Sequence, residues 1–271
     1  HYRSCGKGCD YKKLHGLEKA CKNHNITNIL LLMQTACRIV RKIFNSLTDA
    51  VWPRCCAVCG STLVEGEDGM CISCMTRLPR TGLHRNDFNI IHQRLGNHVP
   101  LHKAMAWFWY YRGSAETAVI IDAKYHDRPK LIRSAAAFYA TELQADGCDP
   151  ASFADVVVPT PIHWRKRAVR GYNQTEWLAE GISRASGLPV ANCLRATRTH
   201  RSQTRLNATE RSQNLQDSIE LAQPRAIEGR RVLLVDDIIT TGATMRAALK
   251  ALATGRPAAV SILALGAAKM Q

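Results

Sequence analysis

The residues best suited to chemistry follow a short apolar segment near the carboxyl end of the chain. Residues 232–235 are typical of a buried strand, and two carboxylates, Asp236 and Asp237, come directly after them. Carboxylates at the end of a strand can accept hydrogen bonds from a diol or hold a hydrated divalent cation. Residues 240–244 then read Thr-Thr-Gly-Ala-Thr, before a helical pattern that begins at about Met245. Because a glycine-containing turn that opens a helix directs N–H groups at an anion, the whole run suits a sugar phosphate.

This order of residues resembles the phosphoribosyl pyrophosphate motif of type I phosphoribosyltransferases. The resemblance implies that Asp236 and Asp237 face the ribose hydroxyls as the catalytic acids. It also implies a cradle for the 5′-phosphate, formed by Thr240, Thr241, Gly242, Ala243 and Thr244. An ordinary buried strand with a capped turn is the alternative, and two adjacent aspartates alone would favour it. The complete order of strand, acids, hydroxyls, glycine and helix favours the binding site.

Two Cys-x-x-Cys pairs precede this region: Cys56 with Cys59, and Cys71 with Cys74. Four thiolates at this spacing close a tetrahedral Zn2+ site and leave no position open for catalysis, so they predict a structural zinc ribbon. Cys55 could replace Cys56 as a ligand, but the Cys-x-x-Cys-Gly register favours Cys56. A redox motif and incidental buried cysteines are the alternatives.

A basic cluster follows another apolar segment, 155–159. Arg165, Arg167 and Arg170 precede Gly171, which permits a tight turn. Guanidinium groups bind phosphate oxygens in pairs, so these arginines are candidate substrate-binding residues. A solvated basic loop is an equally good interpretation of the cluster alone. Its position after a strand of the same predicted sheet as Asp236 favours binding.

The periodicity of the chain predicts strands that alternate with helices. The strands are expected at 104–111, 155–159, 189–197, 232–235 and 258–264, and the helices at 114–125, 129–144, 173–185 and 244–253. This alternation predicts an α/β fold with a mostly parallel sheet and helices on both faces. Ligands of such sheets bind at the carboxyl ends of the strands, where Asp236 and the turn after Pro159 should meet.

The 271 residues divide into five predicted segments. Residues 1–32 have no clear period and are expected to be a non-native or disordered leader upstream of a natural start at Met33. An amphipathic helix is expected over 33–54, the zinc ribbon over 55–80, a polar linker over 81–103 and the α/β domain over 104–271. Four histidines of the linker are predicted to be solvated, because the thiolates already complete the metal site: His84, His92, His98 and His102.

The composition restricts the partners and the compartment. The net charge of +15 predicts polyanionic partners, either phosphorylated metabolites or nucleic acid. We expect no membrane span, because every apolar run falls short of the ~20 residues required. A reduced thiolate site among the eleven cysteines predicts a cytoplasmic protein rather than a secreted one.

Together these features resemble the ComF (GntX, competence protein F) family over roughly residues 39–265. Besides the cysteines and the acid-containing motif, the resemblance depends on the run Arg170-Gly-Tyr-Asn-Gln174 and on a spaced set: Arg198, Gln203, Leu206, Arg211 and Asn214. It implies a type I phosphoribosyltransferase-like domain with a small N-terminal zinc ribbon of four cysteines. It further implies a role in natural transformation, with single-stranded DNA and a DNA-uptake helicase as partners.

The resemblance leaves two functions open. The first is a phosphoribosyltransferase that binds phosphoribosyl pyrophosphate with Mg2+, although no residue defines its acceptor. The second is a non-catalytic factor that binds single-stranded DNA and retains the phosphate-binding frame, with Trp164, Tyr172 and Trp177 as candidates for base stacking. A place for Trp177 in the core is the favoured alternative for that residue.

Overall fold

The computed structural model describes residues 53–95, 101–111, 117, 129–162, 171–197 and 219–269. The chain divides into two units, 1–54 and 55–271, and nearly all described residues belong to the second. Several predictions therefore lie outside the described residues. They concern the leader, nearly all of the amphipathic helix, the helix at 114–125, the arginines Arg165, Arg167 and Arg170, and the set from Arg198 to Asn214.

Four strands of the described region form a parallel sheet. The strands in chain order are β1 (Leu101–Tyr110), β2 (Val156–Pro159), β3 (Leu194–Ala196), β4 (Ile219–Leu221), β5 (Arg231–Ile239) and β6 (Ala259–Ala268). The sheet has the order β1-β6-β5-β2, whereas β3 and β4 form a separate antiparallel pair. Four of the predicted strands, 104–111, 155–159, 232–235 and 258–264, correspond to the strands of this sheet, whereas 189–197 contains β3 of the antiparallel pair.

Helices cover both faces of the sheet. They are α1 (Ile72–Thr76), α2 (Ile90–Leu95), α3 (Pro129–Ala145), α4 (Pro150–Phe153), α5 (Gln174–Ser186) and α6 (Ala243–Ala253), with 3-10 helices at Leu83–Arg85 and Pro224–Ala226. One hydrophobic cluster joins α3 and α5 to residues such as Leu233 and Leu263, and a second joins α2 and α6 to Leu234 and Ile262. The predicted fold class is confirmed. Within the described residues, no helix combines the length and apolar character that crossing a membrane requires.

The described part of the segment expected to be a polar linker, 81–103, is folded: residues 81–95 lie along the free side of β1, and residues 101–103 begin β1 itself. Thr81 N donates a hydrogen bond to Trp107 O at 3.0 Å, and Asn89 Nδ2 donates to Ala104 O at 2.8 Å. Ile91 and Leu95 of α2 are buried in the second cluster. The segment is folded because these apolar residues pack beside the edge strand β1. The polar composition of the segment does not indicate this packing.

Two of the histidines predicted to be solvated have other surroundings. His92 is only 9% exposed, and its Nδ1 lies 3.3 Å from Asn89 Oδ1. His84 Nε2 lies 2.9 Å from Asp146 Oδ2. The prediction of solvated side chains is therefore wrong for His92 and His84, whereas His102 is exposed and His98 is outside the described residues.

Candidate functional site

The two adjacent aspartates lie inside β5 rather than after it. The parallel pairing with β6 continues through Asp236 as far as Ile239, so the expectation that the strand ends before the acids is wrong. Beyond the acids, Ile238 pairs with Gly266 and Ile239 with Ala267 of β6. Because successive side chains of a strand point to opposite faces, the two carboxylates have different surroundings.

Asp236 connects β5 to β2 and α5. It is only 8% exposed, and its Oδ1 accepts hydrogen bonds from Thr160 Oγ1 and Asp237 N, both at 2.9 Å. Thr160 directly follows β2, and its carbonyl oxygen accepts from Thr175 Oγ1 at 2.5 Å and from Asn173 Nδ2 at 3.1 Å. The predicted meeting of Asp236 with the residues after Pro159 is therefore confirmed. The hydrogen bonds of Thr160 and Thr175 that make this contact have no signal in the local sequence.

Asp237 is the more accessible acid of the pair. Its side chain is partly exposed, and Oδ1 accepts a hydrogen bond from Ile238 N at 2.6 Å. This bond orients the carboxylate at the carboxyl end of the sheet. Asp237 is thus better placed than Asp236 to reach a ligand.

The turn after β5 exposes hydroxyls at the start of a helix. Thr240, Thr241 and Thr244 are exposed, whereas Gly242 is buried. Gly242 is the N-cap of α6 with φ 78° and ψ 7°, a left-handed conformation that glycine adopts without steric cost. The helix begins at Ala243, slightly earlier than expected. The turn therefore combines exposed donors with the N-terminus of an eleven-residue helix.

A cleft of about 690 Å3 opens beside the end of β2. Its walls include Asn173 and Glu176 at the start of α5, together with Arg195 and Glu220 of the β3–β4 pair. Arg195 Nε donates to Glu220 Oε1 at 2.7 Å across the two strands. No local sequence pattern indicates this cleft, because β3 and β4 are short and far apart along the chain.

The four predicted metal ligands are close together. The Sγ atoms of Cys56, Cys59, Cys71 and Cys74 all lie within 4.8 Å of one another, whereas Cys55 is exposed and outside this group. The preference for Cys56 over Cys55 is thereby supported. A set of four thiol donors fits a structural Zn2+ ion, which would be held by these residues without an open coordination position.

Nearby donors and burial give these thiols different acidities. The Ser61 hydroxyl, 3.3 Å from Cys59 Sγ, lowers the pKa of Cys59 to about 6. Burial raises the pKa of Cys74 to about 12, although Arg77 Nη2 donates to its sulfur at 3.0 Å. Zn2+ binds thiolates, so metal binding would release the remaining protons.

The cysteine ribbon packs against α3 of the α/β domain. Ser134 Oγ donates to Asp68 Oδ2 at 3.0 Å, and a Cβ on Gly69 would lie 3.2 Å from Leu131 Cβ. Met70 and Met75 of the ribbon belong to the same hydrophobic cluster as α3 and α5. The ribbon is therefore part of the domain's core.

Comparisons with known proteins agree with this architecture. Residues 181–270 match the family model described as "Phosphoribosyl transferase domain", so the α/β domain is phosphoribosyltransferase-like. Competence protein F of Haemophilus influenzae is 27% identical over 200 residues, which cover 70% of this chain and 86% of that protein. DNA utilization protein YhgH of Escherichia coli is 26% identical over 221 residues, 79% of this chain and 96% of that protein. These relatives and the domain match support the resemblance to the ComF family that the motifs indicated.

A solved structure of glutamine phosphoribosylpyrophosphate amidotransferase from B. subtilis is also similar. It is 22% identical, and the match covers 54% of this chain and 30% of that longer protein, with a TM-score of 0.37.

The described aromatic candidates for base stacking have packing roles. Trp177 is partly buried against the first cluster, and the Arg133 guanidinium carbon lies 5.1 Å from its ring centre. This supports the expectation that Trp177 belongs to the core. Tyr172 is partly buried beside the start of α5, and Trp164 is outside the described residues.

Proposed function

We propose that the carboxyl edge of the sheet binds phosphoribosyl pyrophosphate, or a related sugar phosphate, together with Mg2+. One observation carries this proposal: the partly exposed Asp237 lies at the same sheet edge as the exposed hydroxyls of Thr240, Thr241 and Thr244. A vicinal diol and a phosphate on one small molecule need an acceptor and a set of donors close together.

The residues would divide the ligand between them. Asp237 would accept hydrogen bonds from the ribose hydroxyls or hold a hydrated Mg2+, while Asp236 would keep the ends of β5 and β2 together. The turn residues Thr240 to Thr244 would bind the 5′-phosphate. Arg165, Arg167 and Arg170 would bind the pyrophosphate, since guanidinium groups match phosphate oxygens.

Such a site would support transfer of the phosphoribosyl group without a protein nucleophile. The acceptor nitrogen would attack the anomeric carbon while the carbon–oxygen bond to pyrophosphate breaks. Pyrophosphate would leave with the bonding electrons, and the proton lost by the acceptor would pass to the leaving pyrophosphate or to solvent. Positioning and charge stabilisation would supply the catalysis. The acceptor would be a base, an amine or ammonia.

Calorimetry with phosphoribosyl pyrophosphate and Mg2+ tests the proposal. In Asp237→Asn we expect the affinity to fall about 10- to 100-fold, because hydrogen bonds to a charged group contribute about 1.5–3 kcal/mol. Glu228→Gln is the matched control, since it removes the same charge from an exposed position just before β5, at the opposite end of that strand. Unchanged affinity in Asp237→Asn, or no binding to the unaltered protein, would contradict the proposal.

A second function is favoured by the charge of the chain and by its relatives. The net charge is +15, and the relatives are named Competence protein F and DNA utilization protein. The protein would then bind single-stranded DNA through its basic segments and take part in DNA uptake, with a helicase as a candidate partner. The reduced Zn2+-thiolate ribbon would place it in the cytoplasm.

A further inference from the structure

A residue of α2 donates hydrogen bonds to the backbone next to the turn between β5 and α6. Arg94 Nη1 donates a hydrogen bond to Ile239 O at 3.0 Å, and Nη2 donates to Ala268 O at 2.7 Å. One guanidinium therefore connects the carboxyl ends of β5 and β6. Burial lowers the pKa of Arg94, but an arginine remains charged at neutral pH.

A second arginine, in α6, also connects the turn to α2. Arg246 lies in the first turn of α6, and its Nη1 donates to Thr241 O and to Arg94 O, both at 2.9 Å. The turn carbonyl and the end of α2 thus share one donor group. Their separation cannot change without the loss of at least one of these bonds.

Close packing fixes the turn at a third point. A Cβ on Gly242 would lie 2.8 Å from Leu95 Cδ2 and 3.3 Å from Arg246 Nη1. Leu95 is itself buried. The glycine is required here both for its left-handed φ and for this close approach to α2.

These contacts determine where the turn's amide groups point. In a trans peptide the carbonyl and the N–H point in opposite directions. Because Arg246 holds Thr241 O, the N–H of Gly242 points away from Arg246. Donors that are fixed before a ligand arrives need no reorganisation when it binds.

We propose that Arg94, Leu95 and Arg246 form a loop clasp, and that Arg94 is the positioning residue that holds the turn in its ligand-binding shape. The clasp acts through Ile239 and Thr241, whose carbonyl oxygens accept its hydrogen bonds. It makes α2 part of the site. The proposed effect on affinity depends on the sugar-phosphate function, whereas the effect on the turn does not.

The first experiment measures the turn in the full-length protein without ligand. In Arg94→Met we expect the 15N order parameters of residues 240–243 to fall from rigid values near 0.85 to below about 0.6, with residues 233–235 unchanged. Arg246→Met should have the same effect. Arg85→Met is the control, because Arg85 is an exposed arginine of the segment before α2 that pairs with Asp146 at 3.0 Å.

The second experiment measures affinity for phosphoribosyl pyrophosphate with Mg2+ by calorimetry. Arg94→Met should weaken binding about tenfold, and Arg94→Lys should recover part of the loss, because an ammonium can bond one of the two carbonyls. If Arg94→Met does not fold, Arg94→Lys and Arg246→Met test the same point. Unchanged order parameters in folded variants would overturn the clasp. If the turn loosens as expected but the unaltered protein binds no sugar phosphate, the proposed function fails and the clasp stands.

Discussion

At the scale of single residues, the adjacent aspartates of β5 have different surroundings. Asp236 is buried and accepts hydrogen bonds from Thr160 and from the chain itself, so its carboxylate holds two strand ends together. Asp237 is partly exposed at the same edge. A pair of acids that looks symmetrical in the sequence is divided by the alternation of the strand into a structural acid and a candidate ligand acid.

The Thr160–Asp236 hydrogen bond should contribute measurably to stability. Thr160→Val keeps the shape of the side chain but removes the donor, which leaves a buried carboxylate with one partner fewer. We expect the free energy of unfolding to fall by about 1–3 kcal/mol. Denaturant titration measures the change. Thr141→Val is the control at an exposed helix position and should alter stability by no more than about 0.5 kcal/mol.

At the scale of elements, α3 and α5 pack unusually closely on the first face of the sheet. A Cβ on Gly181 of α5 would lie 2.3 Å from Arg133 O and 2.8 Å from Ala136 Cβ. Arg133 also pairs with Glu180 at 3.4 Å. The position of α5 matters to the site, because its first residues, Asn173 and Thr175, bond to Thr160.

Gly181→Ala should therefore destabilise the protein despite its better helix propensity. Alanine gains about 1 kcal/mol over glycine in a helix interior, whereas overpacking against a backbone oxygen costs about 1–3 kcal/mol. We expect the overpacking to win and the denaturation midpoint to fall. A higher midpoint would show that the helices separate easily. Arg184→Ala on the same helix removes only an i,i+4 pair and should cost about 0.5 kcal/mol or less.

Elements with local signals could be predicted from the sequence, and those held by distant contacts could not. The apolar runs predicted the four sheet strands, and the cysteine spacing predicted the thiol cluster, because each signal is contained in a short stretch of sequence. The six-residue helix α2 is too short to show a helical period, and it lies in the segment predicted to be a linker. Arg94 bonds to Ile239, which lies 145 residues further along the chain, and no local pattern indicates such a contact. The continuation of β5 through its acids also depends on pairing with β6.

At the scale of the whole molecule, the net charge of +15 favours contact with polyanions. If the protein binds single-stranded DNA, log K should fall linearly with log salt, with a slope of about −0.7 for each phosphate contacted. Replacing Arg165, Arg167 and Arg170 together by Gln should reduce the slope by about 2, because three contacts are lost. Gel shifts across a range of salt concentrations measure this. A slope that is the same in both proteins would exclude these arginines from DNA contact.

The cysteine ribbon shares its apolar interior with the α/β domain rather than forming a separate appendage. Met70, Met75 and Leu78 belong to the cluster that also contains Leu131 and Leu143 of α3. A chelator that removes a metal ion from the four sulfurs would therefore expose these apolar side chains to water. Protein prepared without metal is expected to aggregate, although the four cysteines are not among the proposed sugar-phosphate ligands.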